Sequence, residues 1–195
     1  MTAAPKALLA TIGYEGRTVK DLLAVLKQAK VERVVDVRQL PLSRKPGFSK
    51  SALAEFLTSH GIEYVGFPQL GTPPAIRNHY KKSGDFERLR RDYLVYLGTQ
   101  GPEIAALHEL AAQGGCALLC FERDPAKCHR SILAEVLAGR AGSAFLVEHL
   151  GLRVEDAGQT DLFGPEREAA EHVMADIDKA IPAGPAGQTP TFPPA

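Results

Sequence analysis

The sequence has no charge excess of either sign, no long apolar run and little cysteine. Its 23 basic and 23 acidic residues, among 195, give a net charge of zero at pH 7. A balanced chain has no overall attraction to nucleic acid or to a membrane surface, although it is compatible with a local basic patch. No apolar run approaches the length of a membrane span. No charged segment leads into an apolar one at the start, so we expect no signal peptide and no membrane association.

Cysteine is the scarce residue with the clearest implication. The chain has three cysteines, an odd number. This usage is typical of free thiols or metal ligands in a reducing compartment, and not of a disulfide framework. We therefore expect a cytoplasmic protein. All three, Cys116, Cys120 and Cys128, fall in one short stretch.

Residues 116–130 carry the strongest functional signal. The apolar run at 117–121 predicts a buried strand. Asp124 and Pro125 predict a turn after it, and apolar residues at helical spacing predict a helix that begins at Cys128. An open α/β sheet usually keeps its site between a strand end and the next helix start.

Strand and helix patterns alternate along most of the chain. Five strands are predicted, at residues 7–12, 31–37, 62–67, 117–121 and 144–149. Helices are predicted at about 18–30, 49–61, 85–97, 102–113 and 128–139. The alternation predicts the α/β class, as a three-layer, open, mostly parallel sheet of about five strands flanked by helices, of Rossmann-like type. Residues 68–83, rich in polar residues and proline, are predicted to be a long functional loop.

The composition divides the chain into three parts. Residues 1–151 are predicted to form the α/β domain. Residues 152–181 are predicted to be a polar linker with a short helix. Residues 182–195, with five prolines and few large apolar side chains, are predicted to be a disordered tail.

Glu122, Cys128 and His129 are candidate catalytic residues. A thiol at a helix start, close to Arg130, is expected to have a lowered pKa and more thiolate. Glu122 follows the predicted strand, where a carboxylate can act as a general base or as a nucleophile toward a sugar carbon. The guanidinium of Arg130 offers a fork of donors suited to phosphate or carboxylate, which makes it a candidate substrate-binding residue.

Further candidates are expected at the same edge of the sheet, because parallel strands all end there. Asp36, a candidate catalytic residue, and Arg38, a candidate substrate-binding residue, end the second predicted strand. Gly13 and Tyr14 follow the first, where glycine lets the backbone approach a ligand, although the third glycine of a dinucleotide fingerprint is missing. The other candidate substrate-binding residues are Ser43, Arg44 and Gly71.

A metal site is the competing interpretation of the cysteine stretch. Cys120, Cys128 and His129 can supply three ligands for a divalent metal. The chain has no Cys-x-x-Cys pair, and the fourth ligand of a closed zinc site would have to come from Glu122, His149 or elsewhere. The spacing therefore does not by itself predict a metal, and the cofactor is left open.

A short peptide beyond the predicted domain resembles a docking motif. Gln159, Asp161, Leu162 and Phe163, around Thr160, match the pattern by which bacterial repair and replication proteins bind the sliding clamp. Leucine and phenylalanine would fill an apolar pocket, and the glutamine would add a directional hydrogen bond. The alternative is that the two apolar residues pack the linker onto the domain.

Several motifs in order resemble one bacterial and archaeal family, catalogued as domain of unknown function 488. They are Thr11-Ile12-Gly13-Tyr14-Glu15-Gly16, Val35-Asp36-Val37-Arg38, Pro41-Leu42-Ser43-Arg44, Gly47-Phe48-Ser49, Leu70-Gly71, and Glu122 with Cys128-His129-Arg130. The resemblance covers about residues 7–150. It implies an α/β domain with these motifs around one site. It implies no reaction, because the family has no settled activity, and some members differ at Glu15 and Gly16.

The leading hypothesis is an enzyme of nucleic-acid or nucleotide metabolism that binds a phosphate-bearing ligand and is recruited to DNA by a sliding clamp. Hydrolysis or transfer at a phosphoester or glycosidic bond fits the candidate groups. The first alternative is a thiol- or metal-dependent enzyme unrelated to DNA. The second is a non-catalytic module that binds a nucleotide.

Overall fold

The computed structural model describes residues 7–140 and 145–151. Its centre is a parallel sheet of five strands in the order β3-β2-β4-β1-β5. The strands are β1 (Ala7–Gly13), β2 (Arg33–Asp36), β3 (Glu63–Gly66), β4 (Cys116–Cys120) and β5 (Phe145–His149). The helices are α1 (Val19–Gln28), α2 (Lys50–Ser59), α3 (Pro74–Ser83), α4 (Phe86–Leu97), α5 (Gly101–Ala112) and α6 (His129–Gly139). The predicted α/β class and three-layer arrangement are confirmed.

Both faces of the sheet are covered, as its buried strands require. Successive residues of β4 point to opposite faces. Leu118 belongs to a core formed with α4, α5 and α6, whereas Leu119 belongs to a core formed with α1 and α2. All five residues of β4 are buried, which is typical of a central parallel strand.

The strand order places a crevice between β1 and β4. From β1 the chain crosses through α1 to β2, on one side of this pair, and from β4 it crosses through α6 to β5, on the other. Gly13, the last residue of β1, is in register with Cys120, the last residue of β4. Adjacent strands whose connections leave in opposite directions form the switch point at which α/β sheets bind ligands.

The starts of helices α1 and α2 differ in how they are capped. Thr18 caps α1: its Oγ1 accepts a hydrogen bond from the backbone N–H of Asp21, whose Oδ2 accepts one from the backbone N–H of Thr18. This reciprocal pair satisfies two donors that a helix start otherwise leaves free. Ser49 precedes α2 without making a side-chain cap bond.

The prediction of a long loop at residues 68–83 was wrong. The segment forms a 3-10 turn at Pro68–Leu70 and then helix α3. Pro74 occupies the first helical position, where a missing N–H costs nothing, and Gly84 ends the helix with a left-handed φ of 68°. No residue of α3 is buried, and its large apolar side chains are Ile76 and Tyr80 alone, so the segment has too few apolar residues for their spacing to mark a helix.

Three parts of the chain, residues 1–6, 141–144 and 152–195, lie outside the described residues. The predicted linker, the peptide 159–163 and the predicted tail all fall there. Among the residues that are described, no helix combines the length and apolarity needed to cross a membrane.

Candidate active site

The loop after β4 is held against the end of β1 by close backbone packing. A Cβ atom added at Gly13 would lie only 1.8 Å from the carbonyl oxygen of Glu122. The backbone N–H groups of Tyr14 and Glu15 donate to the carbonyls of Cys120 and Phe121, at 3.2 and 2.9 Å. Gly13 thus fixes the position of Glu122 and does not itself line the pocket described below.

Arg130 holds the same loop from the other side. Its guanidinium donates to the carbonyl oxygens of Glu122 and Arg123, and its Nε donates to Thr11 Oγ1 at 3.3 Å. The residue is 1% exposed. The structure therefore places this candidate substrate-binding residue behind the loop, with its donors directed at the backbone.

Four side chains meet at the end of β4 and the start of α6. Glu122 Oε2 lies 3.0 Å from the Sγ atom of Cys128 and 3.2 Å from that of Cys120. Cys120 Sγ lies 3.6 Å from Nδ1 of His129. One ligand atom from each of the four lies within 4.8 Å of the other three. The structure thus brings together the candidate catalytic residues Glu122, Cys128 and His129, and we call these four residues the thiol cluster.

The imidazole of His129 has a fixed orientation. Its Nε2 lies 3.0 Å from the carbonyl oxygen of Val37, which can only accept, so Nε2 carries a proton. The ring of Tyr93 packs edge-on against it, with centroids 5.3 Å apart. In the neutral imidazole, Nδ1 is then unprotonated and faces Cys120.

Burial and charge shift the pKa values in the thiol cluster in different directions. Burial, reinforced by the charge of Cys128, raises the pKa of Glu122 to about 7. Burial alone would raise the pKa of Cys128, but hydrogen bonds from Cys120 and His129 and the charge of Arg130 outweigh it, so the pKa is lowered. The hydrogen bond to Cys128 and burial raise the pKa of Cys120. These directions favour a thiolate at Cys128 and leave Glu122 partly ionised near neutral pH.

The structure does not bring Asp36 to the thiol cluster. Both carboxylate oxygens of Asp36 accept from Arg38 Nε, at 2.8 and 3.0 Å, and Oδ2 also accepts from the hydroxyl of Tyr64 at 2.7 Å. Arg38 Nη1 donates in turn to the hydroxyl of Tyr14 and to the carbonyl of Phe48. Asp36 is 1% exposed, so it is buried behind the pocket, where it holds the guanidinium of Arg38 in place.

A pocket of about 560 Å³ opens above the thiol cluster. Cys120, Glu122 and His129 line it, and Cys128 lies behind Glu122. Its basic lining residues are Arg38, Arg44, Arg77, Lys81 and Lys127. Among the described residues that line it, Glu122 is the only carboxylate. The pocket therefore combines a positively charged wall with one acid on its floor.

The other candidate binding residues are divided between the wall of the pocket and its support. Tyr14, Ser43 and Arg44 line the pocket. Gly71 does not; a Cβ atom there would lie 2.1 Å from the backbone nitrogen of Gln39, which does line it. Gly71 thus allows the two loops to approach each other closely.

Aromatic and aliphatic side chains also line or support the pocket. Tyr14 stacks on Phe48, with centroids 4.3 Å apart, and Phe121 packs edge-on against Tyr14 at 5.3 Å. Phe121 is 45% exposed, and Leu40 and Leu42 are 55% and 82% exposed. A ligand in this pocket would meet both cationic and apolar side chains.

Helix α3 contributes residues that the sequence did not reveal as a group. Arg77, Asn78, Tyr80 and Lys81 all line the pocket. Positions 77, 80 and 81 follow the i, i+3, i+4 spacing of one helix face. That spacing could have identified them, but only after the segment had been recognised as a helix.

His149 belongs to a different contact. Its Nδ1 lies 2.7 Å from Thr11 Oγ1, the atom that also accepts from Arg130. Because the hydroxyl of Thr11 has a single proton, it donates to His149 while accepting from Arg130. Burial, together with the charge of Arg130, lowers the pKa of His149. The fourth residue of the thiol cluster is therefore Glu122 and not His149.

Among known protein families, the one described as domain of unknown function DUF488 has a model that matches residues 18–137. The match covers more than half of the chain. It includes the four residues of the thiol cluster, and also Asp36 and Arg130. The motif at residues 11–16 lies before it. No curated protein matches the sequence, and no solved structure does.

Proposed function

This chain belongs to the DUF488 family, whose description assigns no activity, and we propose from its pocket that it is an enzyme of nucleic-acid or nucleotide metabolism. It binds a phosphate-bearing ligand and carries out hydrolysis or transfer at a phosphoester or glycosidic bond. One observation carries the proposal. Glu122, in contact with the thiol of Cys128, is the single carboxylate among the described residues that line the pocket, and the other charged residues among them are basic.

The basic wall supports a phosphate-bearing ligand. Arg44, Arg77 and Lys81 line the pocket from two separate segments, and no ion pair in the described part of the chain joins any of them to an acid. Arginine forks match phosphate oxygens, and lysine adds a point charge. Their charges are therefore available to an anion that enters the pocket.

The apolar lining of the pocket favours a ligand that carries a nucleobase. The exposed ring of Phe121, beside the stacked pair Tyr14 and Phe48, offers a surface on which a nucleobase can stack. A nucleotide, with a planar base and a charged phosphate, matches both the apolar and the basic lining of the pocket. This combination favours a nucleotide, free or within a strand, over a simple phosphate ester.

Glu122 is positioned to act on the bond next to the phosphate. As a general base it would remove a proton from water while the water oxygen attacks phosphorus or the sugar carbon. The leaving group departs with the electrons of the broken bond and takes up the proton from Glu122. Alternatively, the carboxylate itself attacks the sugar carbon, and water then cleaves the resulting ester.

A substrate screen tests the proposal. Wild type is incubated with nucleotides and single-stranded DNA, and cleavage of phosphoester and glycosidic bonds is followed by chromatography. Glu122→Gln should lower turnover by about 100-fold or more, whereas Glu32→Gln, an exposed position at the opposite edge of the sheet, should leave it unchanged. Turnover that survives in Glu122→Gln would remove Glu122 from the chemistry.

We also propose that the peptide 159–163 recruits the enzyme to DNA through a sliding clamp. The peptide lies outside the described residues, and its sequence alone supports the proposal. Wild type should bind a purified bacterial clamp, and Leu162→Ala/Phe163→Ala should abolish the binding. Equal binding by both proteins would exclude this docking mode. The clamp acts at DNA inside the cell, so the proposal includes a cytoplasmic location, in which three free thiols are stable.

A second candidate is a thiol- or metal-dependent enzyme unrelated to DNA. It is favoured by the four donor atoms of Cys120, Glu122, Cys128 and His129, which all lie within 4.8 Å of one another. Under this candidate, the clamp does not bind and nucleotides are not substrates, but the thiol cluster is still the reactive centre.

A further inference from the structure

We propose that the thiol cluster holds one zinc ion, bound by Cys120, Cys128 and His129, with Glu122 between the ion and the pocket. This deepens the proposed function by adding a metal at the same site. The metal site itself does not depend on the proposed function; only the identity of the ligand that would contact the metal rests on it.

The donor types fit zinc. Two thiol sulfurs and one imidazole nitrogen are the ligand set of a catalytic zinc site with three protein ligands and one open position. Sulfur ligands also disfavour magnesium and calcium, which select oxygen. The two cysteines are free thiols in the described structure.

The spacing of the donors also fits. Zinc–sulfur bonds of about 2.3 Å and zinc–nitrogen or zinc–oxygen bonds of about 2.0 Å place tetrahedral ligands about 3.3 to 3.8 Å apart. Among the three proposed ligands, the structure has 3.6 Å between Cys120 Sγ and His129 Nδ1, and the ligand atom of Cys128 lies within 4.8 Å of those of the other two. Shifts of about 1 Å would therefore bring the three ligand atoms to the separations of a zinc site.

His129 is oriented as a metal ligand. Metal-binding histidines usually donate their second ring N–H to a carbonyl or carboxylate, which fixes the ring and its tautomer. The Nε2 atom of His129 lies 3.0 Å from the carbonyl of Val37, at the end of β2. The lone pair of Nδ1 is thereby directed toward the sulfur of Cys120.

The burial of the cluster gives the ion one accessible side. Cys120, Cys128 and His129 are 4%, 1% and 8% exposed, whereas Glu122 is only partly buried and lines the pocket. A phosphate oxygen or water entering from the pocket would therefore approach the ion past Glu122. A zinc ion in this position would supply a Lewis acid to such an oxygen.

Metal analysis of the full chain tests the inference without any substrate. The protein is expressed with added zinc, purified without chelator and desalted, and its zinc is measured by plasma mass spectrometry. Wild type should hold about one zinc per chain, and Cys120→Ser and Cys128→Ser should each lose most of it. Glu122→Gln should retain it.

Cys116 provides the matched control. It is buried on the same strand as Cys120 but at the opposite end, where its Sγ lies 3.7 Å from the carbonyl of Leu110. Cys116→Ser should keep the wild-type zinc content. Equal loss of zinc in Cys116→Ser and Cys120→Ser, or loss in Glu122→Gln, would overturn this arrangement of ligands.

Cobalt titration covers the case in which a cysteine variant does not fold. Wild type freed of metal should bind one equivalent of Co²⁺ with intense visible bands of tetrahedral cobalt and a thiolate-to-cobalt charge-transfer band. If purified wild type contains no zinc and Co²⁺ produces no such bands, the proposed metal site is wrong. That result would leave the phosphate-binding wall, and the screen that tests the proposed function, unaffected.

Discussion

Arg130 donates hydrogen bonds to the carbonyl oxygens of Glu122 and Arg123, and so holds the loop that carries the acid of the site. The arginine thereby acts through the backbone of the loop. Its Nε also reaches Thr11 on β1, so one buried side chain ties together the ends of β1, β4 and α6. The position of Glu122 in the pocket therefore depends on a cation that does not line the pocket.

Replacement of Arg130 should be costly for stability. In Arg130→Gln, two partly buried carbonyls lose their donors, and an unsatisfied buried group costs about 1–3 kcal/mol. We expect the free energy of unfolding to fall by about 2–4 kcal/mol in urea denaturation. A variant as stable as wild type but weakened in phosphate binding would show instead that Arg130 contacts the ligand.

Gly13 should be intolerant of even one methyl group. A Cβ atom there would lie 1.8 Å from the carbonyl oxygen of Glu122, which belongs to backbone that cannot move cheaply. Gly13→Ala should cost about 2 kcal/mol or more in the free energy of unfolding. Gly66→Ala is the control, because a Cβ atom at this strand position has no neighbour within 4 Å, and it should stay within about 1 kcal/mol of wild type. A similar free energy for both variants would contradict the close packing of the loop.

The fold could be predicted where local signals agree with burial. The buried run of β4 and the cap at Thr18 are visible in the sequence, because each depends on residues close together in the chain. Helix α3 was missed because its sequence is mostly polar and begins with prolines, so its few apolar residues did not stand out as a helical pattern. That Arg77 and Lys81 lie on one face of α3 and line the pocket is known only from the structure.

The site was predicted in its composition but not in the division of roles. The proximity of Glu122, Cys128 and His129 followed from a short loop between a strand and a helix. The sequence made Asp36 a candidate catalytic residue and Arg130 a candidate substrate-binding residue, since each is a charged group at the expected edge of the sheet. Their partners, Arg38 for one and two backbone carbonyls for the other, are set by tertiary contacts that the sequence does not encode locally.

The contact between Thr11 and His149 should make stability depend on pH. The pKa of His149 is lowered in the folded protein, mainly by burial, so the unfolded chain takes up the proton first as the pH falls. Stability should therefore be unaffected well above the unfolded value of about 6.5 and should decrease as the pH falls below it.

His149→Gln should remove this part of the pH dependence. We expect a smaller loss of unfolding free energy between about pH 7.5 and about pH 5.5 than in wild type. His60→Gln, which changes an exposed histidine just after α2, should behave as wild type, and all samples should have the same metal content. An unchanged pH dependence in His149→Gln would mean that His149 is protonated equally easily in the folded and unfolded chain.

The most direct test of the central claim is a calorimetric titration with paired ligands. Wild type is titrated with a nucleoside 5′-monophosphate and with the same nucleoside lacking the phosphate. The double variant Arg77→Gln/Lys81→Gln is titrated in the same way. The control is Lys27→Gln, which changes an exposed side chain in the last turn of α1. We predict that wild type and the control prefer the monophosphate, and that the double variant loses about tenfold of this affinity, or about 1.4 kcal/mol, without a change for the nucleoside. Equal affinities for the two ligands, or a double variant that binds the monophosphate as tightly as wild type, would contradict a pocket built for a phosphate-bearing ligand.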